Sequence, residues 1–150
     1  TTVVLLSMSL IACGGGKGGG SNGGGNGTNA NDCKQGDPVT ELEGSYTSRL
    51  GSDAEGTDYN DLIIEGETFT VISRCEFHEA KLRAVASTTF VANDTHLQIL
   101  GRDYGRDYQE VGDMSYDCES MLEPQVFPYK FQGSCLVIGD GQEKMYFKKN

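Results

Sequence analysis

Alternation of apolar and polar residues at period two most constrains how this chain can fold. It runs through Leu42–Leu50, Phe69–Phe77 and Leu82–Phe90, and shorter segments repeat it towards residue 148. Side chains on a β-strand point alternately to the two faces of a sheet, so each segment predicts a half-buried strand. We count about eight or nine such segments after residue 33, which is typical of an all-β domain.

Turn signals separate the predicted strands. The clearest is Gly139-Asp140-Gly141, which lies between Cys135–Ile138 and Lys144–Lys148. Asp-Gly between two strand patterns is a strong indication of a β-hairpin. Pro124 and Pro128 bracket another short apolar segment, and proline there predicts an edge strand or the start of a strand.

Short antiparallel strands joined by hairpins form either a closed barrel or a sandwich of two sheets. Closure removes exposed strand edges, which otherwise pair with other chains. We therefore expect a small antiparallel β-barrel or meander of about eight strands, with a β-sandwich as the alternative. Only residues 118–122 carry a pattern that would suit a short helix.

The N-terminal part of the chain differs in composition from the rest. Residues 1–12 include a short apolar run, and residues 14–32 are rich in Gly and Asn, with no apolar side chain larger than alanine. The second segment cannot bury enough surface to offset the ordering of its backbone, so we interpret it as a tether. Residues 33–150 then form a single folded domain of ordinary size.

Leu10-Ile11-Ala12-Cys13, at the end of the apolar run, resembles the lipobox of bacterial lipoproteins. The run is shorter than the roughly 20 residues of a spanning helix, and residues 1–12 resemble the end of a signal peptide. Because Thr1 is preceded by neither Met nor a basic segment, we expect the signal peptide to be truncated at its start. The alternative is an ordinary secretory signal with a chance cysteine.

The resemblance implies that a signal peptidase cuts before Cys13 and that the thiol carries a diacylglycerol. Residues 13–32 would then be the lipidated cysteine and its tether. Gly14, rather than Asp, follows the cysteine. By the enterobacterial sorting rule, this favours the outer membrane.

Four further cysteines lie in the predicted domain, at Cys33, Cys75, Cys118 and Cys135. An even number in an exported domain predicts two disulfides, in any of three pairings. Only Cys75 and His78 are close enough in sequence to suggest part of a zinc site, and the acidic segment 53–61 lacks the spacing of a calcium loop. We expect neither a metal nor a cofactor.

A second resemblance concerns the first strands and the last hairpin. Leu42–Tyr46, Ile63–Thr70 and the pair Tyr146-Phe147 resemble parts of the small lipocalin-like domains of bacterial lipoproteins. The resemblance implies that Gly44 and Tyr46 close one end of the barrel. The chain departs from the pattern because Tyr46 stands where lipocalins prefer Trp, and because no C-terminal helix is evident.

Gly101-Arg102-Asp103-Tyr104-Gly105-Arg106-Asp107-Tyr108 is a tandem repeat of four residues. We expect it on a loop, where Arg102, Tyr104, Arg106 and Tyr108 could contact a partner, because Arg and Tyr are enriched at the centres of protein interfaces. The alternative is a duplicated turn with no such role.

The remaining signals bear on the class of function. A formal net charge of −10 argues against binding to nucleic acid or to anionic lipid. The sequence has two histidines, its Gly-x-Ser-x-Gly match at 19–23 lies in the Gly-rich tether, and neither Ser73 nor Ser87 lies in a recognisable nucleophile elbow, so we do not expect an enzyme. We expect an interaction or structural module of the envelope, with a carrier of a small apolar ligand as the alternative. An open or a filled barrel interior distinguishes the two.

Overall fold

The computed structural model describes residues 27–150, so Cys13 and the lipobox lie outside the described residues. Ten strands and two 3-10 helices make up this part of the chain, which confirms the all-β prediction. The strands are β1 Gly44–Ser52, β2 Gly56–Glu65, β3 Thr68–Phe77, β4 Lys81–Ala92, β5 His96–Ile99, β6 Asp103–Val111, β7 Met114–Leu122, β8 Gln125–Gln132, β9 Cys135–Ile138 and β10 Met145–Lys149. The short helices are Asp32–Lys34 and Gly141–Glu143. The helix suggested for residues 118–122 is wrong, because they belong to β7.

Eight of the strands close into an antiparallel barrel, in the order β1-β10-β9-β8-β5-β4-β3-β2. The barrel prediction is therefore confirmed, and the sandwich alternative is wrong. Strands that follow each other in the chain are neighbours, except that β8 rather than β6 lies beside β5. The intervening β6 and β7 form a separate two-stranded sheet, which makes the fold an up-and-down barrel with one inserted hairpin.

Apolar side chains from the strands fill the barrel. The largest fully buried ones are Tyr46, Phe69, Phe127 and Phe147, and aliphatic residues of β2, β3, β5 and β9 pack around them. Burying one such side chain contributes about 1.5–3 kcal/mol to folding. The alternation in the sequence is the reason, because along most of the strands the inward residues are apolar and the outward residues are polar.

Both disulfides are formed, which confirms the prediction of two bridges and selects one of the three pairings. Cys33 bonds to Cys135 and holds the N-terminal segment against the outer side of β9. Cys75 bonds to Cys118 and holds the inserted hairpin against β3. The two bridges therefore attach the parts of the chain that do not belong to the barrel wall.

Proline in β8 marks a change of partner. Residues 125–128 pair with β5, whereas residues 129–132 pair with β9. The Pro128 carbonyl accepts a hydrogen bond from the Gly139 amide at 2.8 Å, just beyond the end of β9. The prolines predicted an edge strand or the start of a strand here. β8 instead lies between β5 and β9 in the closed order, but each half of β8 pairs with only one of these two strands.

The seam between β1 and β10 is short. Only Tyr46 and Thr47 pair with β10, opposite Lys149 and Lys148. Farther along β1, the N-terminal segment rather than β10 bonds to the strand, because the Thr28 amide donates to the Arg49 carbonyl at 2.8 Å. The described chain therefore begins on the outer wall of the barrel, beside its closing seam.

Candidate functional site

The inserted hairpin is the element that the barrel does not need for closure. Its inner side packs on β3 and β4 through Tyr116, Cys118 and Ser120. The Tyr116 ring lies 4.7 Å from the Phe77 ring, and the Ser120 hydroxyl donates to the Val71 carbonyl at 3.1 Å. Together with the disulfide at Cys118, these contacts fix the hairpin as a rigid part of the domain.

Residues 103–108 of the tandem repeat belong to β6, so the prediction of a loop is wrong for them, whereas Gly101 and Arg102 precede the strand. Asp103 accepts a hydrogen bond from the Ser87 amide at 2.7 Å, and Asp107 accepts one from the Arg83 amide at 2.9 Å. These amides lie on the part of β4 that β5 does not pair with. The two carboxylates therefore satisfy backbone donors that a neighbouring strand would otherwise satisfy.

The four-residue spacing of the repeat matches the spacing of the two β4 amides that it binds. Residues four apart on a strand share a face and lie about 13 Å apart, which is also the spacing of the two amides on β4. Gly105 stands between the two aspartates, where an added Cβ would lie 2.0 Å from the Val85 carbonyl oxygen. Repetition of Gly-Arg-Asp-Tyr thus places an aspartate, a glycine and an aspartate against one strand edge.

The other side of the hairpin faces away from the barrel, and we call it the hairpin face. Tyr104 and Tyr108 are 53% and 49% exposed there, and Met121 is 37% exposed. Three polar side chains complete it: Arg106 on β6 and Asp117 and Glu119 on β7.

Hydrogen bonds hold the polar side chains of the hairpin face in place. Arg106 binds Asp117 through two bonds, Nε to Oδ1 at 2.8 Å and Nη2 to Oδ2 at 2.7 Å. The Tyr104 hydroxyl donates to Glu119 at 2.7 Å, and this bond raises the pKa of Tyr104. The Arg106 guanidinium lowers the pKa of the Asp117 carboxyl. The face is therefore pre-ordered although it is exposed.

Three of the four residues predicted to contact a partner come together on this face. Arg102 precedes β6 and forms an ion pair with Glu123 at 3.3 Å. Sequence reasoning missed the β7 half, namely Asp117, Glu119 and Met121. Their alternation at period two was a usable signal, although residues 118–122 also carry a pattern that would suit a short helix.

Tyr46, on β1, is buried in the core with its hydroxyl hydrogen-bonded. Tyr46 is fully buried in the same core as Phe147, and its hydroxyl donates to the carbonyls of Glu41 at 3.0 Å and Leu42 at 2.9 Å. Burial, and then the Glu41 carboxylate, raise the pKa of Tyr46 to about 12. Gly44 has a φ of +151°, and an added Cβ would meet the Tyr46 ring and hydroxyl at 3.4–3.5 Å.

A short polar row interrupts the apolar interior. Ser48, Asn60 and Ser73 stand side by side on β1, β2 and β3, and all three are buried. The Asn60 carbonyl oxygen accepts from Ser73 at 3.4 Å, but its Nδ2 has no hydrogen-bond partner. Asp58 lies two residues away on the same face of β2, and burial, with Asp53 nearby, raises its pKa to about 6.

Other chemistry is sparse in residues 27–150. No group of three or more His, Cys, Asp or Glu residues in this part of the chain is arranged to hold a metal ion. His78 and His96 contact Ala54 and Thr95 near the surface, at 2.9 and 2.8 Å. Across the same residues, no helix has the length and apolar character needed to cross a membrane.

The geometry defines a closed eight-stranded antiparallel barrel with an inserted, disulfide-braced hairpin. Comparisons of the chain with protein families, with curated proteins and with solved structures found no match.

Proposed function

We propose that this protein is a lipid-anchored lipoprotein of the bacterial outer membrane that acts as an interaction module, with the hairpin face as its contact surface. The observation that carries the proposal is the hairpin face itself. It presents Tyr104, Arg106, Tyr108 and Met121 on a rigid sheet, and Tyr, Arg and Met are the residue types enriched in protein interfaces.

Pre-ordering strengthens the case for binding. Association costs about 0.5–1.5 kcal/mol for each flexible side chain that it immobilises. Arg106 and Tyr104 are already held by Asp117 and Glu119, so a partner would lose less of its binding energy to ordering them. The disulfide at Cys118 has the same effect on the backbone of the hairpin.

The packed barrel interior supports the interaction role over the carrier role. A lipocalin-like carrier needs an open interior, whereas the large side chains of this core are fully buried against one another. The two described surface depressions both lie on the outside of the barrel wall. The Asn60 amide in the polar row has no hydrogen-bond partner and could contact a bound molecule. It is unsuited to an apolar ligand, however, so it does not support the predicted carrier role.

The proposed anchor rests on the lipobox at Cys13, the tether that follows it and the two disulfides of an oxidising compartment. It is tested by growing the producing bacterium with an alkyne fatty acid and comparing wild type with Cys13→Ala. We expect label on the wild type alone. Equal labelling of both chains would remove the anchor from the proposal.

The contact surface is tested by photo-crosslinking in the producing bacterium. A benzophenone amino acid replaces Tyr104 in one variant and Val126, which is 54% exposed on the barrel wall, in a matched control. We expect a discrete crosslinked species with the Tyr104 probe that is lost when Arg106→Ala is added. The same adducts from both positions, or none from either, would contradict the proposed surface.

A further inference from the structure

A surface groove beside the tether collects positive charge on an otherwise acidic protein. It has a volume of about 290 Å³ and lies between the N-terminal segment and the barrel wall at the seam of β1 and β10. Arg49, Lys148 and Lys149 line it, with Asp32 as the acidic side chain of the lining. The chain as a whole carries a formal charge of −10, so the groove is a local reversal of sign.

The two lysine charges of the groove are not engaged in ion pairs within the described part of the chain. Neither Lys148 nor Lys149 forms a salt bridge with any residue from 27 to 150. Asp32 accepts a hydrogen bond from the Asn29 amide at 2.8 Å. Asp61, on the neighbouring wall, is bound by Arg74. The lysine ammonium groups therefore keep their capacity for a ligand anion.

Neutral donors accompany the cations. The Thr28 hydroxyl accepts the Arg49 amide proton at 2.8 Å, which leaves its own proton free to donate. Tyr59 holds its ring against the Arg74 guanidinium at 4.3 Å and also lines the groove. Lysine and arginine charges beside hydroxyl donors are the groups that bind phosphate oxygens.

We propose that this groove binds a phosphate group, and that its source is the headgroup of a membrane phospholipid. The choice of source rests on the proposed lipid anchor. The described chain starts at Gly27, next to Arg49, and 14 positions separate it from Cys13. A Gly-rich coil of that length has an end-to-end distance of about 20 Å. An anchored chain would thus hold the groove within reach of the bilayer surface.

The test uses the full chain carrying Cys13→Ala, so that any membrane binding is independent of an acyl anchor. Co-sedimentation with vesicles of phosphatidylcholine and phosphatidylglycerol is compared with vesicles of phosphatidylcholine alone. Lys148→Gln with Lys149→Gln removes two groove charges. Lys130→Gln with Lys144→Gln removes the same charge away from the groove and serves as the control.

We expect binding to the anionic vesicles that falls at least tenfold with the groove variant and less than twofold with the control. A second arm titrates inorganic phosphate and follows the amide NMR signals of Thr28 and Thr47. Shifts there without vesicle binding would keep the phosphate site and assign it to a free phosphate compound. Equal vesicle binding by both variants, or none, together with no phosphate shifts, would overturn the proposal. The acylation test at Cys13 is independent of these measurements, so a failure of the proposed anchor can be distinguished from a failure of the phosphate site.

Discussion

Gly105→Ala tests whether the tandem repeat fixes the inserted hairpin against the barrel. The new Cβ would lie 2.0 Å from the Val85 carbonyl oxygen and 2.8 Å from the Val85 nitrogen. Ordinary contact begins at 3.4 Å, so the methyl group falls about 1.4 Å short of the space that it needs. Both obstructing atoms belong to the backbone of β4, so no side chain can rotate away.

The clash is relieved only if β6 moves away from β4, and this movement determines how much stability is lost. A shift of that size stretches the bonds from Asp103 and Asp107 to the β4 amides, now 2.7 and 2.9 Å, beyond hydrogen-bond range. Each lost bond costs about 1 kcal/mol, and overpacking costs about 1–3 kcal/mol. We expect a total loss of about 3–5 kcal/mol, a large share of the 5–15 kcal/mol typical of a domain.

Urea denaturation of the full chain with its disulfides intact measures this loss. Gly51→Ala is the matched control, because it lies on β1 with nothing within 4 Å of the added Cβ. The control should change the free energy of unfolding by less than about 1 kcal/mol. Amide exchange at Arg83 and Ser87 should also accelerate in Gly105→Ala alone. If the two variants unfold at the same urea concentration, β6 is not held at the β4 edge as described.

Three further outcomes follow from single side chains. Tyr46→Ala should cost about 3–5 kcal/mol in urea denaturation and Tyr104→Ala under about 0.5 kcal/mol, and similar losses would contradict the burial of Tyr46 in the barrel core. The pKa of Asp58 is raised from 3.8 to about 6, so its destabilising effect is absent below about pH 4, develops between about pH 4 and pH 6 and is constant above that range. Asp58→Asn should flatten this dependence of stability on pH and stabilise the domain at pH 7 by about 1 kcal/mol after allowance for solvent screening. Removing the Cys75–Cys118 bridge should cost about 2–4 kcal/mol and leave the barrel strands protected in hydrogen exchange, whereas global loss of protection would show that closure depends on the hairpin.

Local chemistry was enough to predict the architecture. The inward positions of Phe69 and Leu82 could be read from alternation alone, because a strand presents every second side chain to the core. The last hairpin was signalled by Asp140-Gly141, although its connection contains the short helix Gly141–Glu143. The number of disulfides followed from the even number of cysteines in a domain that the sequence predicts to be exported.

Long-range partners could not be predicted. Residues of the repeat read as a turn because Gly and Asp favour turns, yet Asp103 and Asp107 bond to amides on another strand. No residue near the repeat in sequence indicates that the amides on β4 will be its partners. Pro128 likewise signals an edge, but not that the edge lies where β8 exchanges one partner for the other. Disulfide pairing has the same dependence on the final fold.

The seam between β1 and β10 has a consequence for when this protein can fold. Closure joins Tyr46 to Lys149, so the pairing of the first strand cannot be completed until the last strand has been synthesised. Pairs so distant in sequence also make for slow folding, because a long loop must close before the contact is gained. The Cys33–Cys135 bridge spans 102 positions across the same region. Because Cys135 lies in β9, formation of this bridge would report that β9 has reached the N-terminal segment, and a chain stalled before β9 would lack both the seam and the bridge.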